Sequence, residues 1–197
     1  MISFSSSETG NGESYSEEPV QQRGVLLGEG AFGRVYEATM RVAIKEIKVN
    51  DRALNEVEIL MSLNHEHILR YYNHHFEDSN QTLVIWMEFG DCGTLTDKIK
   101  EEAQMVDSIM FKEFTIWRFL SQISSALGYL HAQPRPILHR DLKPDNILGV
   151  TNLRTGGIKW KVGDFGLVKL LEEEEYFYAM TICGTATYMA PEVSVYH

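Results

Sequence analysis

Eight consecutive residues, His139-Arg140-Asp141-Leu142-Lys143-Pro144-Asp145-Asn146, constrain the fold of this chain more than any other segment. Asp141, Lys143 and Asn146 stand between the apolar pairs Ile137-Leu138 and Ile147-Leu148. Solvated loop charges do not need such flanks, so this loop is held against a core with its polar groups kept for a purpose. A second run, Asp164-Phe165-Gly166, begins 18 residues after Asn146 (164 − 146 = 18). Upstream lie Gly28-Glu29-Gly30-Ala31-Phe32-Gly33-Arg34-Val35 and Val42-Ala43-Ile44-Lys45. Each run alone is weak evidence; the four in this order and spacing are not a coincidence.

Length and charge narrow the setting. With 197 residues, 44% of them hydrophobic, the chain holds one domain or two small lobes around a sizeable core. A formal charge of −10 and a pI near 5.2 argue against nucleic acid and anionic membrane as partners, since both are repelled at long range, and weakly favour basic ones. Cys92 and Cys183 are too few for a disulfide framework, and no charged stretch followed by an apolar one opens the chain. An intracellular setting, cytoplasmic or nuclear, is expected. No segment is long and apolar enough to span a bilayer, and there are no internal repeats.

Residues 1–20 carry six Ser and four Glu with no Lys or Arg, a composition that cannot offset the entropy of ordering, and are expected to be a disordered acidic tail. Short β-rich runs follow at Val25–Gly28, Arg34–Ala38 and Val42–Ile47. A helix is predicted over Ala53–Leu63, with Val57, Leu60 and Met61 at helical spacing, and strands near Leu69–Phe76 and Thr82–Phe89. Gly90-Asp91-Cys92-Gly93 looks like a flexible polar connector. Ile116, Leu120, Ile123, Leu127 and Leu130 then step by four, three, four and three, which marks one buried face of a long helix ending near His131. Residues 100–113 look like an irregular acidic insertion.

Glycines spaced as in Gly28, Gly30 and Gly33 also occur in dinucleotide-binding folds, where the last glycine opens a helix and an acidic residue such as Asp51 follows. Here Arg34-Val35-Tyr36-Glu37-Ala38 continues as a β-like run, which favours a hairpin tip open to close phosphate approach. Lys45 ends an apolar run and needs a carboxylate partner; Glu56 and Glu58 are the candidates, on different faces of the predicted helix.

These motifs together resemble those of eukaryotic protein kinases of the Ser/Thr type, with a faint likeness to the NIMA-related branch. The resemblance implies an α+β, bilobal fold: a tail over 1–20, a small antiparallel β-sheet lobe with one helix and the hinge over 21–90, and part of a mainly α-helical lower lobe over 91–197. It implies a transferase that uses ATP and Mg2+ to phosphorylate Ser or Thr of a protein substrate. Asp141 and Lys143 are then catalytic, and Asn146 and Asp164 hold the metal. Gly28, Gly30, Gly33, Val35, Ala43, Lys45, Glu56, Glu88, Phe89 and Leu148 serve the nucleotide. Met87 is implied as gatekeeper, with the backbone of Glu88-Phe89-Gly90 reading the adenine edge. His139 and Phe165, with Leu60 and Tyr71, match an apolar column between the lobes, so His139 is structural.

Regulation follows from the same resemblance. Thr181 is the implied activating phosphosite, served by an upstream kinase or autophosphorylation, with Arg140 and Lys169 as phosphate donors. Thr185 bridges Lys143 and Asp141. The His65/His67 and His74/His75 pairs lack further ligands at metal spacing and are expected to be loop and strand-edge residues. Since the sequence stops at Val195-Tyr196-His197, soon after Ala190-Pro191-Glu192, the resemblance implies an incomplete lower lobe. The competing expectation is a non-catalytic nucleotide-binding module, pseudokinase-like and inactive through truncation. Subfamily, substrate and oligomeric state are not legible.

Overall fold

Val42-Ala43-Ile44-Lys45-Glu46-Ile47-Lys48 alternates between half-buried and exposed positions, the period of a strand covered on one face, and forms β3 (Val42–Lys48). It pairs antiparallel with β5 (Thr82–Glu88), which pairs in turn with β4 (Tyr71–Glu77), giving the order β3-β5-β4. The central strand reads differently from its neighbours, for Leu83, Val84 and Ile85 are all buried. The computed structural model describes residues 23–104, 111–171 and 183–191. They fall into two compact units, Met1–Met40 and Arg41–His197.

The first unit is a hairpin of β1 (Arg23–Gly30) and β2 (Gly33–Ala38), with Gly28 opposite Val35, Glu29 opposite Arg34 and Gly30 opposite Gly33. Gly33 closes the turn at φ 147°, a conformation that favours glycine. Arg34 pairs with Glu29 at 2.9 Å across the hairpin, and Phe32 at the tip is fully exposed.

In the second unit, helix α1 (Asp51–Ser62) starts where Asn50 accepts a hydrogen bond from the Ala53 N–H, and stops where Leu63 turns extended. It buries Ala53, Glu56, Val57, Ile59 and Leu60. Met61, expected on that face, lies 59% exposed, and Ile59 is buried in addition. Helix α2 (Leu95–Ala103) begins with a capping box between Thr94 and Asp97. Residues 100–103, expected to be irregular, therefore belong to a helix; its short, polar sequence hid it, whereas its cap was readable.

Helix α3 (Glu113–His131) corrects the reading of its stripe. Ile123 and Leu130 are buried and Leu127 is packed against the core, but Ile116 and Leu120 are 44% and 45% exposed. The cover reaches only part of the helix: Phe119 meets Trp160 edge to face, and Gln122 accepts from the Trp160 N–H. Two antiparallel pairs complete the unit, the short β6 (Ile137–Leu138) with the distant β9 (Lys169–Leu170), and the hairpin of β7 (Ile147–Thr151) with β8 (Ile158–Val162). These pairs were not legible because two to five residues show no periodicity against a helical background. One core of Val57, Leu60, Ile68, Leu83, Ile85, Leu130, Val162 and Phe165, among others, runs through the unit. No helix among the described residues is long and apolar enough to cross a membrane.

Candidate active site

The loop from His139 to Asn146 leaves β6 and enters β7, and its conformation is set by hydrogen bonds at its base. His139 is buried, with Nε2 2.9 Å from the Gly163 carbonyl and Nδ1 3.4 Å from the Asp141 N–H. That arrangement needs a neutral ring protonated at Nε2, and burial holds its pKa below the ordinary value against the Gly163 contact and nearby carboxylates. Both nitrogens are occupied, and the ring stands edge to face on Phe165 at 5.2 Å. Arg140, at φ 64°, turns its guanidinium back onto the carbonyls of Leu167 (2.7 Å) and Val168 (3.5 Å).

Asp141 is buried and fully engaged. Lys143 Nζ lies 2.8 Å from its Oδ2, the Thr185 hydroxyl donates to Oδ1 at 2.7 Å, and the Asn146 amide donates to Oδ2 at 3.0 Å and to the Asp141 carbonyl at 2.8 Å. Lys143 also donates to the Thr185 hydroxyl at 2.9 Å. Burial pushes the Asp141 carboxyl up, but Lys143, Thr185 and Asn146 outweigh it and hold it below the carboxylate range. Gly184, at φ +108°, lets this segment approach, since any side chain there would run into the Arg140 carbonyl.

A second cluster joins β3, α1 and the segment after β8. Lys45 Nζ lies 2.7 Å from Glu56 Oε1 and 2.9 Å from Asp164 Oδ1. Glu58 is exposed and takes no part. Burial would lower the Lys45 pKa, yet the two carboxylates raise it above the ordinary value. Asp164, at φ 55° and half exposed, is held low despite partial desolvation, which is outweighed chiefly by Lys45. Because the Asn146 amide nitrogen is spent on Asp141, its side-chain oxygen and the Asp164 carboxylate are the hard oxygen donors of the two loops that could hold Mg2+.

The end of β5 supplies the third part. Leu148 fits against both Gly90 and Gly163, where an added Cβ would come within 2.8 and 2.7 Å of it. Ala43, half-buried in β3, pairs with Met87, and the Arg41 guanidinium lies 4.2 Å over the Phe89 ring. The Glu88 side chain is buried, 2.7 Å from Lys161 Nζ and accepting from the Arg70 N–H at 3.1 Å. Lys161, Asp91 and Thr151 were missed from sequence: Lys159-Trp160-Lys161 reads as an alternating strand with both lysines outside, and Lys161's partner is 73 residues away.

Gly28, Gly30, Gly33 and Val35 belong to the first unit, and Val35 is exposed there. Lys169 sits in β9 opposite Leu138. Thr181 lies outside the described residues.

A lysine tied to a helix glutamate, a loop that presents an aspartate beside a lysine and an asparagine, and an Asp-Phe-Gly just after a β-hairpin define a protein kinase domain. The chain belongs to that family, whose protein kinase domain profile matches residues 21–196. It is similar to Ser/Thr kinases of the NIMA-related type. It is 40% identical over 181 residues to mouse (Mus musculus) serine/threonine-protein kinase Nek9, which covers 85% of this chain and 17% of the relative. With Xenopus laevis Nek9 the identity is 41% over 182 residues, covering 85% and 18%. With the probable serine/threonine-protein kinase nek2 of Dictyostelium discoideum it is 39% over 182 residues, covering 84% and 41%. The chain thus spans less than half the length of these curated relatives.

Proposed function

We propose that this chain transfers the γ-phosphoryl group of Mg-ATP to a Ser or Thr hydroxyl of a protein. The observation that carries the reading is the contact between Thr185 and Asp141: a threonine hydroxyl donates to the carboxylate at 2.7 Å, with Lys143 beside both. A substrate hydroxyl needs the same partner. Asp141, ionised at neutral pH, orients that hydroxyl and accepts its proton, and Lys143 offsets negative charge on the phosphoryl oxygens. Lys45, held by Glu56, is the cation for the α and β phosphates. Mg2+, when bound through Asn146 and Asp164, neutralises phosphate charge. The backbone at Glu88 and Phe89 reads the adenine edge, with Ala43 and Leu148 flanking the ring. A net charge of −10 favours a basic protein substrate.

Binding of Mg-ATP to the full-length protein, measured by calorimetry for wild type and Lys45→Met, tests the nucleotide half. Wild type is expected to bind, and the variant to lose about tenfold or more in affinity. A wild type that ignores Mg-ATP, or a variant that binds it equally well, refutes the assignment.

A further inference from the structure

The segment after β5 is not the flexible connector its composition suggests, because the β7–β8 hairpin holds it at two points. The first is the Glu88–Lys161 ion pair at 2.7 Å, which joins the last residue of β5 to β8 inside the core. The second is Asp91, whose carboxylate accepts from the Thr151 N–H at 2.8 Å and the Thr151 hydroxyl at 2.6 Å. Beside it, Cys92 N–H donates to the Gly149 carbonyl at 3.0 Å and Gly149 N–H to the Gly93 carbonyl at 2.8 Å, so the connector lies along β7 as an added edge. Backbones meet closely there: a Cβ on Gly149 would come within 2.8 Å of the Cys92 side chain.

A buried ion pair is a poor way to stabilise a core, since apolar residues of equal volume do as well or better. What it adds is direction, one donor–acceptor geometry that fixes a register. β8 ends at Val162, two residues before Asp164 (164 − 162 = 2), and β7 carries Leu148. We propose that Lys161 and Asp91 are positioning residues for nucleotide binding: they pin both ends of the 88–91 segment to the β7–β8 hairpin and so fix the backbone of Glu88 and Phe89 relative to Leu148 and Asp164. The inference rests on the nucleotide reading above and extends it to residues that touch no ligand.

The test compares full-length wild type with Asp91→Ala, Asp91→Asn and the charge-free pair Glu88→Gln/Lys161→Met, which leaves no lone buried charge to unfold the protein. Mg-ATP affinity, the KM for ATP against kcat, and amide hydrogen exchange over residues 88–94 are read in each. Asp91→Ala and the pair should bind Mg-ATP about tenfold more weakly. KM should rise at nearly constant kcat, and exchange over 88–94 should quicken; Asp91→Asn, which keeps an acceptor for the Thr151 N–H, should recover part of the affinity. Wild-type affinity in Asp91→Ala and the pair, even with a lowered melting temperature, would overturn the proposal and leave these residues merely structural. A wild type that does not bind Mg-ATP overturns the nucleotide reading and this inference with it.

Discussion

At the scale of single residues, carboxylates and histidines of the Arg41–His197 unit answer to pH differently. Asp164 is ionised and held low, mainly by Lys45, so its share of stability is present above the unfolded value near 3.9 and is lost only as pH falls through its depressed folded value. His67 and His139 are buried and held low by desolvation. The unfolded chain takes up their protons first, near pH 6.5, so their contribution is complete above that value and is lost as pH falls through the depressed folded values. Unfolding free energy, and melting temperature with it, is therefore expected to be level above about pH 7 and to decline below about 6.5, the free energy by up to roughly 1.4 kcal/mol per pH unit for each histidine. His67→Gln should flatten the decline; a melting temperature that rises on mild acidification would contradict the assignment of neutral, buried rings. Asp164→Asn should reduce phosphoryl transfer by about 100-fold or more, because a neutral amide binds Mg2+ and Lys45 poorly. Unchanged turnover in that variant would remove Asp164 from the mechanism.

At the scale of elements, periodicity told where helices lie better than how much of each is covered. The α3 stripe treats Ile116 and Leu130 alike, yet Leu130 is fully buried while Ile116 is half exposed. Leu130→Ala should cost about 2–5 kcal/mol and Ile116→Ala less than about 1 kcal/mol, measured by denaturant unfolding. Equal costs would mean that the two ends of α3 are covered alike. Asn50→Ala should cost about 1 kcal/mol through the lost cap of α1. Much of the site was legible because its residues come in runs whose order is itself the signal: Asp141 to Asn146 on one loop, Asp164 to Gly166 on another, Lys45 on a strand. What the sequence could not show was pairing across long separations. Residue pattern alone left Lys45 with Glu56 or Glu58; the family resemblance singled out Glu56, and the turn of α1 puts that residue inside, on Lys45. The Lys161 and Asp91 contacts depend on partners 73 and 60 residues away, and local pattern carries no trace of them.

At the scale of the whole molecule, family membership and the internal geometry of the Arg41–His197 unit both support the proposed activity, phosphoryl transfer to Ser or Thr. The competing reading, a nucleotide-binding module inactive through truncation, shares every binding residue with it and differs in whether Asp141 and Lys143 take part in turnover. Phosphoryl transfer from γ-labelled ATP by the full-length protein, with wild type and Asp141→Asn run side by side and the labelled amino acid identified, therefore separates them most directly. The account predicts Mg2+-dependent label on Ser or Thr, reduced by about 100-fold or more in Asp141→Asn while Mg-ATP affinity stays within about threefold. Nucleotide binding without any transfer, or label on tyrosine alone, would contradict it.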